Sequence, residues 1–352
     1  MEKVRFDDFI KLNRGFDLPD NLIEEGIYPV VASTNIKAYH REYKVDGPMV
    51  ITGRSGSLGK VQYINGKCWP LNTSLYVKDF KGNNPRYVYY YLKTMHLEQY
   101  NAGAGVPTLN QNHLHSLKLL VHSKERQKEV ATILSTYDTL IENNTKRIHL
   151  LEKMAENLYK EWFVRFRFPG YEKVEMENGL PKGWKVESLG NLLDIRYGKD
   201  HKKLDDGDIP IYGSGGIMRY GDTALYEGCS VLIPRKGSLN NIIYVEGKFW
   251  TVDTMFYSVP KKNNICFYMY YVLSLVDMTT YNAGAALPSM TTSILNRMKV
   301  VLPDRDVLMR FDGLMQANYK QKCNLQHQNS LLVRQRDLLL PRLMSGKLEV
   351  KP

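Results

Sequence analysis

The stretch Gly53-Arg-Ser-Gly-Ser-Leu-Gly59-Lys60 sets a cation, two hydroxyls and permissive backbone side by side. Glycine lets a main chain approach a ligand closely, and an arginine fork can grip a phosphate or the O6/N7 edge of a guanine. Its spacing is wrong for a nucleotide-binding P-loop, and Val61 stands where a Ser or Thr should hold magnesium. The same pattern returns as Pro234-Arg-Lys-Gly-Ser-Leu239. Candidate contacts to a nucleic acid are therefore Arg54, Ser55, Ser57, Lys60, Asn72 and Thr73 in the first occurrence, and Arg235, Lys236, Ser238 and Asn240 in the second. A tight hairpin with a solvated arginine is the competing reading.

Other reactive residue types form no constellation. Asn101-Ala-Gly-Ala-Gly105 and Asn282-Ala-Gly-Ala-Ala286, followed by Pro107 and Pro288, could offer backbone amides to a phosphate or simply turn the chain. Tyr87, Tyr89, Tyr90 and Tyr91, with Tyr268, Tyr270 and Tyr271, could stack on bases, but their helical spacing favours core packing. The eight histidines make no H-E-x-x-H or other ligand spacing, so a metal site is not expected. Cys68, Cys229, Cys266 and Cys323 make no C-x-x-C pair, which favours single buried thiols in a reducing cytosol.

These residues belong to a tandem repeat. "YNAGAGVPTL" from Tyr100 and "YNAGAALPSM" from Tyr281 are related by an offset of 181 residues. The same offset carries Arg54 onto Arg235, Gly66-Lys67-Cys68-Trp69 onto Gly247-Lys248-Phe249-Trp250, and Asn72-Thr73 onto Asp253-Thr254. Two copies cannot make a solenoid, so each unit is expected to be a self-contained domain. Short apolar runs broken by Gly and Asn read as β-rich, and Pro85 at a first helical position predicts a helix over Pro85 to Gln99. The chain of 352 residues is 43% hydrophobic and 24% charged, which suits folded domains, and 48 basic against 37 acidic residues favour a polyanionic partner. No apolar stretch approaches the roughly 18 residues that span a bilayer, and no signal peptide is apparent.

Each copy is followed by a helical segment. No Gly or Pro occurs from Ser123 to Phe168, and Leu134, Tyr137, Ile141, Asn144, Ile148, Leu151, Ala155, Leu158 and Trp162 fall alternately three and four apart, an a/d seam. In the second segment Asn318, Leu325, Leu332 and Leu339 repeat every seven residues, while Met315, Lys322, Asn329 and Arg336 make the rest of the seam mostly polar. An antiparallel pair is expected, returning the chain to the first domain.

Over essentially its whole length the chain resembles the specificity subunits of Type I restriction-modification systems. The marks are "ERQKEVATILSTYDTLIENN" and "LYKEWFVRF" in the first helical segment, "LPKGWKVESLGNLLDIRYGK" opening the second domain, and "LLLPRLMSGKLEV" near the end; "DVLMRFDGLMQANY" departs from the usual wording. The resemblance implies an α+β, pseudo-twofold chain: target-recognition domain at 1–122, helical spacer at 123–170, second recognition domain at 171–303 and second spacer at 304–352. It implies a cytoplasmic, non-catalytic subunit that reads an asymmetric bipartite target in double-stranded DNA and bridges two adenine-N6 methyltransferase subunits, with restriction/translocase subunits added. S-adenosylmethionine, ATP and magnesium would belong to those partners. The nearest string to an adenine methyltransferase loop, Asn84-Pro85-Arg86-Tyr87, lacks the second proline and reads as a helix cap. A self-contained restriction-modification polypeptide or an orphan DNA-binding adaptor is the alternative. Trp162 and Phe163, with Leu340, Pro341, Arg342 and Leu343, are expected to be exposed at the helix ends and to bind the partner.

Overall fold

The computed structural model describes residues 1–281 and 288–348. The fold is α+β, with two compact units: Met1–Thr145 together with the described residues from Gln326 onward, and Lys146–Leu325. Each unit thus combines one β-rich domain with part of each long helix, Lys124–Tyr159 and Arg305–Met344. No helix among the described residues is long and apolar enough to cross a membrane.

In the first unit a four-stranded antiparallel sheet has the order Lys11–Arg14, Ser74–Asp79, Met49–Gly53, Val61–Ile64. A three-stranded sheet sets Tyr28–Val31 between Ile36–His40 and, in parallel, Trp69–Pro70. Met49–Gly53 is buried throughout because it is covered on both faces. Successive side chains of a strand point to opposite sides, so Val50 joins Leu75, Val77 and Leu92 in one core while Met49 and Ile51 join Val31 and Cys68 in another. The second unit repeats the plan. Ile51 faces Tyr76 in the first sheet and Leu232 faces Tyr257 in the second, both pairs related by the 181-residue offset.

Pro85–Thr94 is a helix whose Asn84 side chain caps the Tyr87 backbone N–H at 3.1 Å, as the Asn-Pro pair predicts. It stops short of Gln99 because His96 turns left-handed (φ 49°), and a 3-10 turn over Leu97–Tyr100 follows. Tyr87, Tyr90 and Tyr268 are buried core residues.

Within the first unit the long helices run antiparallel, with Asp138 against Arg336 and Asn144 against Gln328. Within the second, Glu152 meets Lys322 at 2.7 Å and Trp162 packs on Phe311. All predicted seam positions are buried or half-buried, and most of their neighbours on the outer face are exposed. The polar seam residues pair locally; Asn318, for example, donates its amide to the Leu151 carbonyl at 3.1 Å. Such pairs fix register, because a slip would leave them buried without partners.

The helix ends correct an expectation. Trp162 and Phe163 are 6% and 7% exposed, in a core with Trp184, Tyr268 and Phe311. Leu340 and Leu343 are likewise buried, against the core that holds Phe6, Val130 and Leu134. These side chains anchor each long helix in a β-rich domain, since burying them there removes more apolar surface from water than a free helix end would allow. Pro341 and Arg342 are exposed. All four thiols are free; Cys68 and Cys266 are buried and Cys229 and Cys323 partly so, and burial pushes the Cys68 thiol up to about 12.

Candidate nucleic-acid interface

Arg54 lies immediately after the buried strand Met49–Gly53, and Arg235 immediately after Ser230–Pro234. In both units the arginine is held on two sides by backbone. Arg54 N–H donates to the Thr73 carbonyl at 2.8 Å, and its own carbonyl accepts from Leu109 N–H at 2.8 Å. Arg235 does the same with Thr254 and Met290, at 2.8 and 2.8 Å. One residue on, Ser55 bridges to Thr108 and Lys236 to Ser289. Gly56 and Gly237 then turn left-handed (φ 83° and 84°), a conformation only glycine adopts freely. The two strongest repeated motifs, the Arg loop and the Pro107/Pro288 segment, are thus one structure in each unit.

The guanidinium groups are placed alike. Arg54 Nη1 donates to the Asn72 carbonyl at 3.4 Å, and Arg235 Nη1 to the Asp253 carbonyl at 3.1 Å. One of five donors is used in this way and aims the rest. Arg54 lines a cleft of about 300 Å³ with Arg14, Thr108, Asn110 and Gln111. Arg235 lies 5.4 Å from the centre of the Tyr197 ring, which is 51% exposed. The side chains beside the two arginines differ: Asn72, hydrogen-bonded to Asp17, in one unit and the exposed carboxylate of Asp253 in the other. An amide can donate and accept on adenine, while a carboxylate only accepts, as from the cytosine amino group.

The predicted residues do not all gather. Arg54, Ser55, Asn72 and Thr73 form one cluster, as do Arg235 and Lys236 with Thr254. Ser57, Lys60 and Ser238 are exposed farther along the loops. Asn240 is exposed and also holds a turn: its Nδ2 donates to Asp277 at 3.0 Å and its Oδ1 accepts from Met278 N–H at 2.7 Å. Asn101 likewise closes a turn, accepting from Gly103 and Thr108 N–H at 2.9 and 2.8 Å, which removes those amides from any anion site. Its counterpart, Asn282 to Ala286, lies outside the described residues. Arg14 and Tyr197 escaped the sequence reading because they sit in the opening segments, where the repeat slips by a residue or two. Only the pairing of Arg14 with Leu75 and of Tyr197 with Phe256 brings them to the loops.

Among the described residues no three His, Cys, Asp or Glu side chains converge on a metal position. The Type I restriction modification DNA specificity domain matches residues 1–153 and 181–307. The Type I restriction enzyme MjaIX specificity subunit of Methanocaldococcus jannaschii is 29% identical over 299 residues, which are 75% of this chain and 69% of that one. The EcoprrI specificity subunit of Escherichia coli is 33% identical over 135 residues, covering 38% of this chain and 34% of its own. The crystal structure of a Type I restriction-modification S subunit from M. genitalium superposes with a TM-score of 0.69 at 18% identity, over 99% of this chain and 96% of that one. With the specificity domain matched twice, over most of its length and on the two repeated units, the chain belongs to the Type I restriction-modification DNA specificity family.

Proposed function

We propose that this chain is the DNA-reading subunit of a Type I restriction-modification complex, in which each β-rich domain reads one half of an asymmetric, bipartite site in double-stranded DNA. The observation that carries the reading is the recurrence of one backbone-clamped arginine in both units with different neighbours, Asn72 beside Arg54 and Asp253 beside Arg235. The shared arginine supplies grip, and the unlike neighbours make two unlike half-sites.

Chemistry lies elsewhere in this reading. Two adenine-N6 methyltransferase subunits and the restriction/translocase subunits bind S-adenosylmethionine, ATP and magnesium, in the cytoplasm, and this chain bridges them on DNA. Partner contact at the helix ends falls to Pro341 and Arg342, the exposed members of the set, because Trp162, Phe163, Leu340 and Leu343 are buried.

The test is reconstitution. The purified chain alone should bind DNA but transfer no methyl group from S-adenosylmethionine; adding a partner methyltransferase subunit should give methylation at one defined sequence. Methyl transfer by the chain alone would overturn the reading.

A further inference from the structure

The second unit contains a cavity of about 530 Å³ whose wall includes Tyr244, Tyr270, Tyr271 and Tyr319 with the carboxylates of Glu152 and Glu156 and the ammonium of Lys322. Its volume is within the ordinary range for small-molecule sites, roughly 300–1,000 Å³. Aromatic faces beside carboxylates attract cations, since ring quadrupole and negative charge act in the same direction.

The first unit shows what such a place holds. There Arg86 lies 3.8 Å over the Tyr63 ring, and Lys93 Nζ lies 5.5 Å from the centre of the Tyr89 ring. The 181-residue offset carries Tyr63 onto Tyr244, Tyr89 onto Tyr270, Arg86 onto Phe267 and Lys93 onto Ser274; in the opposite sense it carries Asp337 onto Glu156. Phe267 takes the place of Arg86 by stacking on Tyr244 at 4.1 Å. Ser274 does not take the place of Lys93: its hydroxyl turns back to the Tyr270 carbonyl at 2.6 Å. The second unit keeps the ring and the carboxylate but has no lysine at the position of Lys93; the ammonium in the cavity wall is that of Lys322, which sits on Glu152. Glu152 is bonded to Lys322 and Glu156 to Lys160, at 2.7 and 2.5 Å, but a carboxylate has about four acceptor positions and one ammonium leaves others open.

We propose that this cavity binds an organic cation from solution, a primary ammonium on a short apolar chain such as a linear polyamine, in the place that Lys93 fills in the first unit. The ammonium lies against Tyr270 and Glu156 and the methylenes lie along Tyr271 and Leu275. A chain of formal charge +11 repels cations in general, so saturable uptake requires a built site.

Calorimetric titration of the full chain with spermidine at fixed ionic strength tests this. One saturable site per chain is expected, unaffected by an equal charge of magnesium. Ser274→Lys, which returns the missing cation, should abolish it, and Glu156→Gln should weaken it by roughly tenfold, the scale of one lost charge contact. Circular dichroism checks that both variants are folded, and Glu156→Gln alone suffices should the lysine not be tolerated. Absence of a saturable site, or equal spermidine affinity in wild type and Glu156→Gln, would overturn the proposal.

Discussion

Asp138 and Arg336 meet at 2.6 Å across the helix pair of the first unit, with side chains only 20% and 14% exposed, and the Tyr90 hydroxyl donates to the same carboxylate. The offset places Tyr319 and Ala155 at the corresponding positions of the second unit, so the pair belongs to one unit alone. Removing one partner strands a desolvated charge. Arg336→Ala is predicted to destabilise the first unit by about 3–5 kcal/mol, while replacing both partners by apolar residues of similar size costs much less. Denaturant unfolding of the two variants compares them; equal losses would contradict burial as the cause.

The buried helix ends separate stability from assembly. Leu343→Ala should lower stability by about 2–5 kcal/mol through the cavity it leaves in the first unit's core. Arg342→Glu, at an exposed position, should change stability by no more than about 0.5 kcal/mol yet reduce co-purification of the methyltransferase subunit. Thermal melts and pull-downs read the two effects; unchanged co-purification of Arg342→Glu would remove this residue from the partner surface.

Acid should weaken the first unit. The Leu12 backbone N–H donates to His115 Nε2 at 3.1 Å, a bond that protonation of that nitrogen abolishes. Burial lowers the His115 pKa from the ordinary 6.5, against the opposing pull of Asp7. A group whose folded pKa is depressed contributes stability above the unfolded value that is lost as pH falls through the folded one. Stability should therefore drop below about pH 6.5, and His115→Gln should flatten part of that slope. Urea midpoints at about pH 7.5 and about pH 5.5 give the answer; the same slope in the variant would assign the effect to other groups, such as His122, also lowered by burial.

Several features were legible because they are periodic or local. The seam from Leu134 to Trp162 follows from three-and-four spacing, and the Asn84 cap from its own dipeptide. What was not legible depends on distant pairing. Nothing near Ser55 announces its bridge to Thr108, and nothing near Asn240 announces Asp277. Trp162 and Leu343 carry the right chemistry for an interface, but an aromatic or aliphatic residue at a helix end serves equally well as an anchor, and only the tertiary fold decides. The early end of the helix after Thr94 turns on the left-handed backbone of His96, which no periodicity encodes.

If the two homologous domains each read their own half of the target, methylation mapping shows it as two separable half-sites. DNA from cells expressing this chain with its methyltransferase subunit should carry one bipartite, asymmetric methylated sequence. Arg54→Ala should relax or weaken one half of it and Arg235→Ala the other, each by about 1–3 kcal/mol if the fork grips a base edge. A single uninterrupted motif, or two variants that disturb the same half, would show that the two domains do not read separate half-sites.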